Sequence, residues 1–197
     1  MKVLFLTGNK NKVVEANQIL SNLGYEVEQF LVDGLTPEFI EPQSSSIADV
    51  SEFKIQQALE LISETESSNN ALLVEDSGLF IESLNDFPGV YSSYISKTIG
   101  NEGILNLLVD KSNRNAEFRA YSILYKNGKY FRALGISSGK ISTQIKGSNG
   151  FGFDPIFIPE SGDGRTFGEM TDHEKSSKSH RGESLRILYD ELSHPSK

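Results

Sequence analysis

The chain has 197 residues, of which 37% are hydrophobic and 23% charged, and its formal net charge at pH 7 is -8. This acidic balance argues against general binding to nucleic acids or anionic membranes, and the absence of cysteine excludes disulfides, thiolate metal sites and cysteine nucleophiles. The length suits one domain with a hydrophobic core. The N-terminal apolar run covers only four residues, 3–6, which is too short for a signal sequence or a membrane span. We therefore expect a cytoplasmic protein.

The N-terminal segment is predicted to form a strand over residues 2–6, a glycine turn with capping residues over 7–9, and a helix that ends near Leu23. The turn and the helix start consist of Thr7, Gly8, Asn9, Lys10, Asn11 and Lys12. A strand, a glycine turn and a helix N-terminus together form a natural anion cradle. Lysines at this end oppose the helix dipole, and a bound phosphate would remove that conflict. The alternative is that Lys10 and Lys12 are simply solvated.

A second strand is predicted over residues 25–32, a loop carrying Glu41 over 33–46, and a helix over 47–63. Lys54 shares one face of this helix with apolar residues, namely Ile47, Val50, Ala58 and Leu61. Such a lysine either extends its ammonium to solvent or points into a cleft. A second apolar stripe, Ile55, Leu59 and Ile62, favours the first alternative.

After a predicted polar linker over residues 64–70, an apolar run over 72–80 indicates a buried strand that is interrupted by Glu75, Asp76, Ser77 and Gly78. These four residues suit a sharp turn between two strands, with solvated acids. They also suit a carboxylate pair at a strand end that holds a divalent cation and activates water. The local sequence leaves both alternatives open.

The middle of the chain is predicted to contain a turn at residues 87–89 and a short helix capped by Thr98, with Ile104, Leu107 and Leu108 facing inward. Two strands over residues 116–125 and 129–136, joined by an Asn-Gly turn, form the clearest hairpin in the sequence.

A glycine-rich segment over residues 147–155 precedes an extended stretch rather than a helix, so it is not a dinucleotide-binding fingerprint. Its glycines and two phenylalanines could hold a flat ring, or they could form a plain loop with two aromatic anchors. Thr171 and Glu174 form a capping-box pattern. A basic segment over residues 175–186 follows, and it is either an anion or keto-oxygen reader or a solvated face.

Five motifs carry a resemblance to a known family. They are Thr7-Gly8-Asn9-Lys10-Asn11-Lys12, Glu75-Asp76-Ser77-Gly78-Leu79, Phe87-Pro88-Gly89-Val90-Tyr91-Ser92, Phe151-Gly152-Phe153-Asp154-Pro155-Ile156-Phe157, and Glu174-Lys175-Ser176 with Ser179-His180-Arg181-Gly182. In wording and order they closely resemble the Ham1-like family, the inosine triphosphate pyrophosphatases. The resemblance covers residues 2 to about 192.

The resemblance implies an α/β fold over residues 1–197, with a long twisted mixed central sheet, flanking helices, two lobes around a substrate cleft, and usually a homodimer. It implies Mg²⁺-dependent cleavage of ITP, dITP or XTP to the monophosphate and pyrophosphate. A Maf-type pyrophosphatase of other modified nucleotides and a non-catalytic nucleotide-binding module are the alternatives.

The resemblance also assigns roles to residues. Asp76 is implied to bind the metal and activate water, and the further metal ligands are Glu75 and Glu41. The triphosphate is implied to contact Thr7, Gly8, Asn9, Lys10, Asn11 and Lys12. Ser77 and Lys54 are implied to support this binding. Lys12 and Lys54 are also implied to serve catalysis. The base pocket is implied to comprise Phe151, Gly152, Phe153 and Asp154, with the purine read by Lys175, His180 and Arg181.

Overall fold

The computed structural model describes residues 2–63 and 70–194, without the side chains of Leu23 and Ser63. In this part of the chain, one seven-stranded sheet is flanked by helices. The strands are β1 (Lys2–Phe5), β2 (Glu26–Gln29), β3 (Ala71–Ile81), β4 (Phe87–Gly89), β5 (Asn115–Lys126), β6 (Lys129–Ile141) and β7 (Phe157–Pro159). The helices are α1 (Lys10–Leu20), α2 (Ile47–Ser63), α3 (Ser92–Thr98), α4 (Gly100–Leu107), α5 (Asp172–Ser176) and α6 (His180–Ser193). The predicted α/β fold is confirmed. None of the helices within the described ranges is long and apolar enough to cross a membrane.

The sheet is mixed, with strand order β2-β1-β3-β5-β6-β7 and with β4 paired to the far end of β3. Strand β1 runs parallel to both β2 and β3, whereas β3, β5, β6 and β7 are successively antiparallel. Phe5 of β1 is in register with Leu73 of β3. The carboxyl end of β1 therefore meets β3 beside the segment that begins at Glu75.

Strand β3 is continuous through its polar segment, and this corrects both sequence-based alternatives. Its pairing with β5 is unbroken from Leu72 opposite Tyr125 to Ile81 opposite Ala116. The acids therefore lie in the middle of a strand, at neither a corner nor a strand end. The turn preference of Asp, Ser and Gly is overridden, because a long neighbouring strand and side chains of the helices provide hydrogen-bond partners for these residues. Gly78 also fits a close approach, since a Cβ there would lie 2.2 Å from the Gly89 carbonyl oxygen.

Three apolar clusters surround this polar segment. Helices α1 and α6 pack on one face of β1 and β3, with buried Phe5, Leu73 and Leu185 in the cluster. Helix α2 packs on the opposite face, where its buried stripe contains Ile55 and Ile62. The third cluster lies at the far end of β3 and β5 and is rich in aromatic residues, including Phe118, Phe157 and Phe167. The polar residues 75–78 lie between the clusters, and the division into two lobes stays a prediction.

Several predicted elements are confirmed and others shift. The β5–β6 hairpin and the capping box of Thr171 with Glu174 are present. The predicted second strand is shorter, because only Glu26–Gln29 pairs with β1. The segment 87–89 is a strand rather than a turn, because it pairs with residues 79–81 of β3.

The helical predictions differ in detail. Thr98 ends α3 and donates its hydroxyl to the Tyr94 carbonyl oxygen, whereas α4 begins at Gly100. Ile104 and Leu108 are buried as predicted, but Leu107 is 47% exposed. The linker predicted over residues 64–70 falls almost wholly outside the described residues.

Candidate active site

The turn after β1 builds the start of α1 as predicted. Thr7 Oγ1 accepts a hydrogen bond from the Asn9 amide at 3.1 Å, and Asn9 Oδ1 caps the helix by accepting the Asn11 amide at 3.0 Å. In both contacts a side-chain oxygen accepts a hydrogen bond from a backbone amide at the start of the helix. In the first turn of α1, Lys12 Nζ lies 3.3 Å from Glu75 Oε1 of β3. The predicted anion cradle therefore borders the acids of the central strand.

Glu75 and Asp76 point to opposite faces of the sheet, because successive side chains of a strand alternate. The Glu75 side chain is fully buried on the α1 and α6 face, where Arg181 binds it with two hydrogen bonds, Nε to Oε2 at 2.5 Å and Nη2 to Oε1 at 2.8 Å. Burial alone would raise the pKa of Glu75, but Arg181 and Lys12 outweigh it and hold this pKa below its usual value. Glu75 is thus a buried anion whose charge is balanced by Arg181 and Lys12.

Asp76 lies on the α2 face, and its side chain is 13% exposed. Lys54 Nζ lies 3.0 Å from Asp76 Oδ1 and 2.7 Å from Glu41 Oε1, so this lysine points into the site and the solvent-facing interpretation is wrong. Burial raises the pKa of Asp76, although Lys54 and Lys12 partly oppose the shift. The pKa of Lys54 is raised, because Asp76 and Glu41 outweigh the effect of its burial.

Glu15 is a member of the site that sequence reasoning missed. Its carboxylate forms ion pairs with both Arg181 and Lys175, with Lys175 Nζ at 2.5 Å from Oε1. Lys175 Nζ also lies 2.8 Å from Asp154 Oδ2. The available signal was the spacing of three residues from Lys12, which places Glu15 on the same side of α1.

The glycine-rich segment over residues 147–155 places its two phenylalanines in different surroundings. Phe153 is 2% exposed within the aromatic-rich cluster and anchors the loop, while Gly152 has φ +62 and is exposed. Phe151 is half-buried, and its ring centroid lies 4.6 Å from Lys175 Nζ. Asp154 Oδ2 accepts the Phe151 amide at 2.7 Å, which fixes this ring relative to the ion pairs.

Two residues complete the surroundings of Arg181. Ser77 Oγ accepts a hydrogen bond from Arg181 Nη2 at 3.3 Å. His180 is buried and stacks on Phe118, with ring centroids 4.8 Å apart and planes at 11°. Its Nδ1 has no hydrogen-bond partner among the described residues. Burial, assisted by the positive charge of Arg181, places the pKa of His180 well below its ordinary value, so this imidazole is neutral.

Most of the predicted site residues come together in this structure. Their side-chain contacts form two groups, namely Glu41, Lys54 and Asp76 on the α2 face, and Lys12, Glu75, Ser77, Arg181, Lys175, Asp154 and Phe151, linked through Glu15, on the other face. Gly8, Lys10 and Asn11 are exposed at the start of α1.

The three predicted metal ligands do not form one cluster. Within residues 2–63 and 70–194, no three His, Asp or Glu side chains lie close enough to hold a metal ion by themselves. Asp76 and Glu41 share the ammonium of Lys54, but Glu75 faces the other side of the sheet. A cavity of about 770 Å³ opens elsewhere, between β5, β6 and β7, and none of the predicted site residues lines it.

Comparison with known proteins identifies the family of this chain. The model of the Ham1 family matches residues 3–191. A dITP/XTP pyrophosphatase of Pyrococcus horikoshii is 43% identical over 192 residues, covering 98% of this chain and 97% of the relative. A dITP/XTP pyrophosphatase of Thermococcus kodakarensis is 44% identical over 186 residues, or 94% of each chain. The solved structure of the Staphylococcus aureus Ham1 protein has a TM-score of 0.79 and 25% identity, covering 100% of both chains. The chain belongs to the Ham1 family.

Proposed function

We propose that this chain hydrolyses non-canonical purine nucleoside triphosphates, namely ITP, dITP and XTP, to the monophosphate and pyrophosphate. Relatives that carry the name dITP/XTP pyrophosphatase match it over nearly the full length. The observation that carries the proposal is that two groups of charged side chains, one on each face of the sheet, meet at the adjacent residues Glu75 and Asp76. Lys12 and Lys54, with Asp76 as a metal ligand, suit a triphosphate at the phosphate end, and Phe151 beside Lys175 suits a ring at the base end.

The phosphate end supplies positive charge where a triphosphate needs it. A triphosphate carries about four negative charges, and preorganised cations stabilise the charge that develops on a leaving pyrophosphate. The α1 N-terminus adds backbone donors beside Lys12. Lys12 and Lys54 are paired with carboxylates here, and we propose that both ammonium groups transfer to phosphate oxygens when the nucleotide binds.

The residues of this end fit Mg²⁺. Two carboxylates, Asp76 and Glu41, converge on one positive charge, the Lys54 ammonium, at 3.0 and 2.7 Å. Mg²⁺ is usually held by one or two carboxylates together with substrate phosphates and water, which matches this donor set. We assign Asp76 and Glu41 to the metal and leave Glu75 to Arg181. The bound ion would neutralise phosphate charge and lower the pKa of a bound water.

The chemical step is a water attack at the α-phosphorus. Asp76 orients the water and accepts its proton, while the water oxygen forms a bond to phosphorus. The bond between phosphorus and the oxygen that bridges the α and β phosphates breaks, and pyrophosphate leaves with that electron pair. Lys12 and Lys54 stabilise the leaving group.

The base end selects the substrate through its donors. We propose that Lys175, Arg181 and His180 read the purine and its 6-keto oxygen while Phe151 stacks on the ring. Adenine carries an amino group at position 6 and would leave a buried donor unpaired, which costs roughly 1–3 kcal/mol per group. One donor therefore gives about 10- to 100-fold discrimination, and several give more.

Two further expectations belong to this proposal. The chain acts in the cytoplasm, where the nucleotide pool would supply its substrate. It is also expected to form a homodimer, with the segment 87–94 as the candidate interface, since Tyr91 and Tyr94 are 55% and 68% exposed. Light scattering on the purified chain gives the oligomeric state directly.

The proposal is tested with a panel of nucleoside triphosphates assayed separately for pyrophosphate and orthophosphate. With Mg²⁺ we expect pyrophosphate from ITP, dITP and XTP at rates at least tenfold above those of ATP, and no turnover in excess EDTA. Orthophosphate as the sole product, or equal turnover of ATP, would contradict the proposal. Preferential turnover of modified pyrimidine nucleotides would identify a Maf-type activity, and binding without turnover would identify a non-catalytic module.

A further inference from the structure

A buried serine of α2 connects the backbones of the two central strands at Asp76. Ser51 is 0% exposed, and its Oγ accepts a hydrogen bond from the Asp76 amide at 3.0 Å. The same hydroxyl donates to the Tyr121 carbonyl oxygen at 2.9 Å. Asp76 on β3 and Tyr121 on β5 are directly opposite each other in the strand register. One helix side chain therefore bonds to a backbone donor of β3 and a backbone acceptor of β5, at the position of the proposed reactive carboxylate.

The arrangement recurs three residues along β3. Ser92 Oγ accepts the Leu79 amide at 2.8 Å and donates to the Gly89 carbonyl oxygen at 2.7 Å, and Leu79 is opposite Gly89 in the β3–β4 register. A serine hydroxyl has a single proton to donate, so a hydroxyl bound on both sides has a fixed direction. The polar segment of β3 is thus held by one such hydroxyl at Asp76 and by another just beyond it.

Helix α2 holds Asp76 at two different atoms. Lys54, three residues after Ser51, contacts the Asp76 carboxylate at 3.0 Å, while Ser51 binds the Asp76 backbone. A bound nucleotide would affect the Lys54 contact and the Ser51 contact differently. The Lys54 ammonium is attractive to phosphate oxygens, but the Ser51 hydroxyl is buried and already bound on both sides.

We propose that Ser51 is a positioning residue that fixes the Asp76 backbone, and through it the Asp76 carboxylate, relative to α2. This inference rests on the proposed function, because it gives Ser51 a part in the same hydrolysis. Reacting groups must be placed closely, and a displacement of about 1 Å can cost about 10²-fold in rate. The Ser51 contact persists when Lys54 turns to the substrate, and Asp76 therefore keeps its place during turnover.

The test is steady-state kinetics of Ser51→Ala with ITP and Mg²⁺. Without the hydroxyl, the Asp76 amide and the Tyr121 carbonyl lose their shared partner and this part of β3 shifts. We expect kcat to fall by about 10- to 100-fold with KM within about threefold of the wild-type value, because Ser51 does not touch the nucleotide. Ser51→Thr, which retains the hydroxyl, should recover most of the lost kcat.

Ser122→Ala is the matched control. Ser122 follows Tyr121 on β5, is also 0% exposed, and bonds through its hydroxyl to Ser184 Oγ at 2.8 Å rather than to the Asp76 backbone. We expect this variant to keep kcat within about threefold of the wild type, even where its melting temperature falls as much as that of Ser51→Ala. Equal losses of kcat in the two alanine variants, or an unchanged kcat in Ser51→Ala, would overturn the inference.

Folding and function are separated within the same experiment. If Ser51→Ala does not fold, Ser51→Cys takes its place, because a thiol fills the same space but is a weak donor and acceptor. A fall in kcat with KM within about threefold of the wild type supports the inference, and a kcat close to the wild type or a loss confined to KM contradicts it. The wild-type nucleotide panel reports on the proposed function alone. The ratio of kcat between the Ser51 and Ser122 variants reports on the positioning role.

Discussion

Glu75 and Asp76 are adjacent in the sequence, yet they occupy contrasting surroundings. The Glu75 carboxylate is fully buried and bound by Arg181, with Lys12 close by. The Asp76 carboxylate is partly exposed and forms an ion pair with Lys54, which it shares with Glu41. The pKa of Glu75 is lowered and that of Asp76 is raised.

This contrast teaches that the spacing of two acids along a chain does not show whether they act together. In a continuous strand, neighbouring side chains lie on opposite faces. The neutralised acid organises structure here, because both of its oxygens are bound by a buried arginine. The less neutralised acid keeps its capacity to bind a cation or accept a proton. The predictions below test this division from the largest effect to the smallest.

The largest effect is expected for Asp76→Asn. The amide cannot accept a proton from water and is a weaker metal ligand, so we expect kcat for ITP to fall by about 10³-fold or more. Pyrophosphate release measures the loss, and titration calorimetry with ITP should show that nucleotide binding is largely retained. A rate close to that of the wild type would remove Asp76 from the chemical step.

Arg181→Ala should act first on stability. It leaves the buried carboxylate of Glu75, and also Glu15, without its arginine, and breaking such a buried pair costs about 3–5 kcal/mol in the free energy of unfolding. Urea denaturation measures this loss. The preference for ITP over ATP in the folded fraction should also decrease. Arg186→Ala, on the exposed side of the same helix, is the control and should change stability by less than about 0.5 kcal/mol. Equal effects of the two substitutions would contradict the role of the buried pair.

A smaller effect concerns the pH dependence of stability through His180. Its pKa in the folded state lies well below the unfolded value of about 6.5, so its contribution is fully present above pH 6.5 and is lost as the pH falls. In this range the unfolded chain binds one proton more than the folded chain does. We expect the free energy of unfolding to decrease by up to about 1.4 kcal/mol per pH unit between pH 6.5 and 5.

The measurement is a series of urea denaturation curves over that pH range. His180→Gln should flatten the slope, whereas substitution of the exposed His173 serves as the comparison. An unchanged slope in His180→Gln would show that other groups cause the pH dependence.

The sequence predicted the local parts of the site well. The cap at Asn9 and the capping box at Thr171 follow from hydrogen bonds within a few residues, and the hairpin follows from its turn. All the residues that determine these features lie within such short segments.

The remaining features depend on distant partners. The direction of Lys54 is decided by Asp76 and Glu41, and the role of Glu15 is decided by residues about 160 positions later in the chain. Strand β3 continues through its acids because β5 and the helices supply partners that residues 72–80 do not reveal. No local pattern contains this information.

The late position of Arg181 in the chain has a consequence for biosynthesis. Its guanidinium, 1% exposed, joins Glu15 from the first helix to Glu75 from the central strand. A ribosome completes α6 after every other described element, and until then both carboxylates lack their arginine. The contacts of Arg181 with Glu15 and Glu75 therefore form only after the start of α6 has been synthesised.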